Sequence, residues 1–185
     1  MFLSRIKDVR YNLKYMITTT LFQSSDLTDI HNLLMSNRWE YFLDPVVTEE
    51  GLKKRDGAYF SNNENATLVC RDETGELLGF IRFFDIENDE TSSPDFTIYI
   101  NEKDRGKGIG KRMLTEGIKH IFATYPNIRR IEATTRSDNV PMQKLFESVG
   151  FVKEAHYRKE WKNRESGEFM DAFGYALLKE EFRNE

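Results

Sequence analysis

The segment Arg105-Gly106-Lys107-Gly108-Ile109-Gly110-Lys111 carries the clearest chemical signal in this chain. Glycine admits φ > 0 and lets a ligand come close to the main chain. The first turn of a helix leaves N–H groups unpaired and carries partial positive charge. Three glycines at the start of a helix therefore make a pocket for a phosphate or pyrophosphate. Lys107, Lys111 and Arg112 add mobile positive charge around it.

The flanking residues place those glycines between a strand and a helix. Phe96–Ile100 is a short apolar run that leads in. Ile109, Met113, Leu114, Ile118, Ile121 and Phe122 form one helical stripe that leads out, and Pro126-Asn127 ends it. Upstream, residues 16–22 read as a strand. Leu27, Ile30, Leu33 and Leu34 then read as a helix capped by Ser24, Ser25 or Asp26. Residues 49–59 could hold a second helix, while Trp39, Tyr41 and Phe42 sit in a segment without period. Residues 66–70 and 77–84 are strand-like and joined by the turn Asp72-Glu73-Thr74-Gly75. Residues 87–94 form a polar loop. Downstream, residues 130–135 read as a strand. Asn139 begins a short helix with Met142, Leu145, Phe146 and Val149 inward and Gly150 as its stop. Residues 151–161 and 168–178 are two long strands joined near Ser166-Gly167. The order is βα(α)βββαβαββ, a mixed α/β layer arrangement.

At 185 residues the chain suggests a single domain with a sizeable core. A formal net charge of −4 argues mildly against a nucleic-acid partner and suits a basic substrate. The 14 Phe and 8 Tyr fill a core or line an acceptor cleft. One cysteine, Cys70, rules out an internal disulfide, and the three histidines show no metal-ligand spacing. No metal is expected. There is no run of about 18 apolar residues, so no membrane span is expected. The start of the chain is too charged for a signal peptide, which makes the cytoplasm the expected location.

Three glycine motifs compete for the loop. A Walker loop needs GxxxxGK followed by Ser or Thr. Here Arg112 takes that place and position 105 is Arg, so no Mg²⁺-dependent nucleotide hydrolysis is expected. A dinucleotide fingerprint needs GxGxxG, and Lys111 stands where its third glycine belongs. The third pattern fits. Arg105-x-x-Gly108-x-Gly110 resembles the (Gln/Arg)-x-x-Gly-x-(Gly/Ala) signature of the Gcn5-related N-acetyltransferase (GNAT) superfamily. Asp95–Gly110 resembles that family's fourth strand and acyl-CoA loop, and Asn139–Phe151 its later Asn-x(10)-Gly-Phe block. Residues 169–182 and 20–34 resemble the ribosomal-protein alanine acetyltransferase (RimJ/RimL) branch.

The resemblance implies an acyl-CoA N-acyltransferase fold over residues 16–182, with residues 1–15 an extension. Its sheet would be twisted, mixed and mostly antiparallel, with six to seven strands flanked by helices. Strands four and five would splay into a V. By resemblance, acetyl-CoA lies in that opening. The main chain of Ile98, Tyr99 and Ile100 would pair with its pantetheine amides. The N–H groups of Arg105, Gly106, Lys107, Gly108, Ile109, Gly110 and Lys111 would hold its pyrophosphate. Asn139 would approach the lower part of CoA, cap its helix, or do both.

The implied reaction is direct acetyl transfer to a primary amine. A peptide N-terminus or ribosomal protein is the first acceptor expected, a polyamine or other small amine the second. Asp95 is the first choice for the carboxylate that takes the amine's proton; a solvated residue at a strand start is its plain alternative. Glu132 and Asp138 are weaker candidates. The family's usual thiolate acids fall at Phe146 and Met142, and neither can donate a proton. Tyr99, Tyr157, Tyr175 or a water takes that role, or the thiolate leaves unassisted. The missing donors keep a second class open, a non-catalytic acyl-CoA-binding module of the same fold. The first dozen residues and any interface of a homodimer stay unassigned.

Overall fold

A computed structural model describes residues 16–42, 48–87, 89–163 and 166–183. The expected extension, residues 1–15, lies outside the described residues. Among the described residues, seven strands and five helices follow the expected order with one helix more than expected. β1 (Thr18–Leu21), β2 (Ala66–Arg71), β3 (Leu77–Phe84) and β4 (Asp95–Ile100) form one antiparallel sheet in that sequence. β5 (Arg130–Arg136), β6 (Val152–Lys162) and β7 (Phe169–Leu178) form a second, with β7 in the middle. Each strand is antiparallel to its neighbours.

The alternation of β4 decides which side chains meet which layer. Phe96 and Ile98 pack into a core with Ile81 and Phe83 of β3, beneath α4 (Ile109–Thr124) and α5 (Val140–Val149). In α4, Met113, Leu114, Ile118 and Ile121 are fully buried. Burial of each such side chain stabilises the fold by about 1.5–3 kcal/mol. On the opposite face Tyr99 joins Val69, Phe80, Trp39 and Phe60, against α1 (Leu27–Ser36) and the short α2 (Glu49–Lys53) and α3 (Gly57–Phe60). Asp95 and Thr97 share this second face.

Two local expectations change. The single helix expected over 49–59 is two short ones, because Asp56 starts a new helix. Its Oδ1 accepts from the N–H groups of Ala58 and Tyr59 at 3.0 and 3.2 Å. None of Ser24, Ser25 and Asp26 caps α1 through its side chain; these residues form a 3₁₀ turn ahead of it. Asp26 turns back instead, accepting from the Gln23 N–H at 2.7 Å and pairing with Arg71 at 2.8 Å.

β4 and β5 lie side by side without a ladder between them. They meet near their starts, where the Glu132 N–H donates to the Pro94 carbonyl at 3.0 Å. Above that point they belong to separate sheets, which is the V that the resemblance implied.

Candidate active site

The V opens into a cleft of about 770 Å³. One side is the edge of β4. The Asn101 N–H donates to the Leu78 carbonyl of β3 at 2.9 Å. Backbone groups alternate along a strand, so Tyr99 also points its main chain at β3, while Ile98 and Ile100 point theirs at the opening. Both isoleucines line the cleft.

The floor is the glycine loop. Arg105, Gly106, Gly108, Gly110 and Lys111 line the cleft together with Asn139. Gly108 is the N-cap of α4 with φ 82° and ψ −2°, and Gly106 has φ 76°. Those left-handed conformations strain any L side chain. A Cβ at either position would meet no atom within 4 Å, so both glycines leave open space above the first turn of α4. That geometry suits a phosphate. Arg38, Arg105, Lys111 and Lys144 bring positive charge to the same cleft, against Glu40 and Glu102.

Three expected cofactor residues lie elsewhere. The Lys107 ammonium sits 2.7 Å from Asp104 Oδ1, and Lys107 and Ile109 line a smaller cavity of about 280 Å³. Any part they play in the cleft runs through their main chain. Tyr99 is absent from the cleft lining. Its ring is stacked between Phe42 and Phe80, each at 4.6 Å between centroids. Burial pushes its hydroxyl up to about 12, and the hydroxyl hydrogen-bonds Thr97. It stays protonated, but within an aromatic stack. Asn139 lines the cleft, and its Oδ1 accepts from the Met142 N–H at 3.3 Å as a helix cap.

The carboxylates differ in their surroundings. Asp95 is half-buried at the closed end of the V. Burial pushes its carboxyl up to about 6, helped by the negative charges of Glu132 and Asp85 and opposed by the Phe96 N–H it accepts at 2.6 Å. Glu132 is paired with Arg130 at 2.7 Å. Asp138 accepts both arms of the Arg136 guanidinium at 2.9 and 2.6 Å, which holds its carboxyl below the usual range. Burial thus poises Asp95 near neutral pH, while the Arg136 guanidinium keeps Asp138 ionised. Like Tyr99, Asp95 is absent from the cleft lining, and it lies about 10 Å along the strand from Ile98.

Of the remaining tyrosines, Tyr157 is exposed on β6. Tyr175 is buried beside Phe146 at 5.1 Å, and its hydroxyl has no partner among the described residues. Neither lines the cleft. Phe146, at the position where the family's usual acid falls, is packed among Phe96, Phe151 and Tyr175.

The sequence reading missed the roof. Arg38, Trp39, Glu40, Tyr41 and Phe42 all line the cleft, as do Met142 and Leu145 of α5. Three aromatics within four residues, directly after a helix, were the available signal. Among the described residues no cluster of His, Cys, Asp and Glu could hold a metal, and no helix is long and apolar enough to cross a membrane.

Residues 28–151 match the family described as "Acetyltransferase (GNAT) family". The N-acetyltransferase YnaD of Bacillus subtilis (strain 168) is 28% identical over 153 residues, covering 80% of this chain and 84% of YnaD. The N-acetyltransferase p20 of Bacillus licheniformis is 30% identical over 157 residues, covering 77% and 86%. The solved structure of spermidine N-acetyltransferase from Vibrio cholerae with CoA and spermine superposes with a TM-score of 0.75. It is 24% identical, and the match covers 89% of this chain and 96% of that one.

Proposed function

The chain belongs to the acetyltransferase (GNAT) family and is an N-acetyltransferase, and from that premise we propose that it moves the acetyl group of acetyl-CoA onto a small, polycationic primary amine. The observation that carries the acceptor is Asp95. A half-buried carboxyl beside Glu132 and Asp85 gives the closed end of the V a negative field, which attracts a polyamine and can accept its proton.

In this reading the CoA pyrophosphate rests on the N–H groups of Gly108–Lys111, and the pantetheine arm follows Ile98 and Ile100. An alkylamine with a pKa of about 10.4 arrives protonated. Asp95, outside the cleft lining, receives that proton through a chain of several waters. The nitrogen attacks the thioester carbon, and a β4 N–H turned to the opening holds the oxyanion. The carbon–sulfur bond then breaks and the thiolate leaves. With Phe146 and Met142 in place of acids, it takes up, through water, the proton that the acylated nitrogen gives up.

The RimJ/RimL-like residues 169–182 favour a peptide N-terminus. The fold neighbour that holds spermine favours a polyamine, and the carboxylates around Asp95 support the same order. Thiol release from acetyl-CoA tests it. Spermidine, spermine and short diamines are expected to release CoA, and an alanine-terminated peptide is not. Turnover of the peptide alone would reject the acceptor. Tight CoA binding with no amine turned over would return the non-catalytic module.

A further inference from the structure

The Arg38–Phe42 segment follows α1 and covers the open end of the V without belonging to a helix or strand. Two arginines hold it by its carbonyls. Arg105, on the loop after β4, donates to the Arg38 carbonyl at 3.0 Å and to Ile100 of β4 at 3.2 Å. Its guanidinium also lies 5.2 Å from the centre of the Trp39 ring. Arg136, at the end of β5, donates to the Glu40 carbonyl at 3.0 Å and lies 5.0 Å from the centre of the Tyr41 ring. Arg136 is buried, 2% exposed, and its fork is fixed by the two oxygens of Asp138. Beneath, Phe42 stacks on Tyr99 of β4.

We propose that Arg105 and Arg136 are positioning residues that clamp this segment across the V, one from each arm, and so set the shape of the acyl-CoA cleft. Each arginine uses a planar fork to tie two places at once, a geometry that the compact ammonium of a lysine does not reproduce. The segment has no helix or strand of its own to hold it, so releasing either arginine frees the whole of it. The segment then samples other conformations, and the cofactor must order it again on binding. The clamp lies on the donor side, so it stands whatever the acceptor proves to be.

The test follows Trp39 in a Trp161→Phe background, where it is the single tryptophan. Arg136→Gln is expected to raise acrylamide quenching of Trp39 about twofold and to weaken CoA binding about tenfold. Saturating CoA should return the quenching toward the parent value. Asp138→Asn keeps the guanidinium but loosens its fork. It is expected to move both readouts in the same direction, and it serves if Arg136→Gln does not fold. Distant sites without a shared partner lose affinity multiplicatively. The clamp predicts instead that Arg105→Lys with Arg136→Lys loses less than the product of the single losses. Unchanged Trp39 quenching in the folded variants, or a purely multiplicative double loss, overturns the proposal.

Discussion

Valine in place of Gly108 is expected to cost at least about two orders of magnitude in CoA affinity, some 2.7 kcal/mol, while the protein remains folded. Gly108 caps α4 at φ 82°, where a β-branched side chain is strained. The chain can respond in two ways. It can keep its conformation and push the valine into the open space beside the α4 terminus, where a phosphate would sit. It can instead flip the peptide and turn the N–H groups of Ile109, Gly110 and Lys111 away. Both outcomes remove the anion site. Gly167→Ala makes the control, since Gly167 also has a positive φ of 76° with open space around it but lies far along the chain in the β6–β7 turn. It should leave CoA binding unchanged. Calorimetry reads both variants, and binding within about threefold of the parent for Gly108→Val would reject the phosphate assignment.

Asp95→Asn is expected to lower kcat/KM by about 10²-fold, the lower end for loss of a general base, and to flatten the pH profile near 6. In the parent, the active carboxylate form grows as pH rises through about 6. The asparagine variant keeps only the later rise set by the amine itself. An unchanged profile would remove Asp95 as the base. The same substitution should change stability with the opposite sense. Burial raises the folded carboxyl from the usual 3.8 to about 6, so the folded state holds this proton more tightly than the unfolded chain. The stabilisation is full below about pH 4 and is lost as pH rises through 6. At neutral pH the ionised carboxylate is a cost, and the variant should melt at a higher temperature than the parent. A lower melting temperature at pH 7.5 would contradict the burial argument.

The strands and the long helix were legible because their signals are local. β4 and α4 carry plain apolar periods, and their bounds match the expected ones closely. The glycine loop was legible for the same reason, since three glycines between a strand and a helix constrain the backbone directly. The roof was not. Trp39, Tyr41 and Phe42 have no period, and their place depends on Arg105 and Arg136, which bond carbonyls 67 and 96 residues back along the chain. No window on the sequence holds both ends of those contacts. Tyr99 shows the complementary limit. Its position on β4 was read correctly, but which face its ring takes depends on Phe42 and Phe80 arriving on either side.

The one-sided pairing of β4 has a consequence for solvent exchange. Thr97 and Tyr99 direct their amides at β3, while Ile98 and Ile100 direct theirs at the opening. In the free protein β4 should therefore look like two strands to deuterium, slow at 97 and 99 and fast at 98 and 100. Added CoA should close that gap by slowing 98 and 100 alone. Equal protection at all four amides in the absence of CoA would mean that the cleft edge is already occupied by the protein itself.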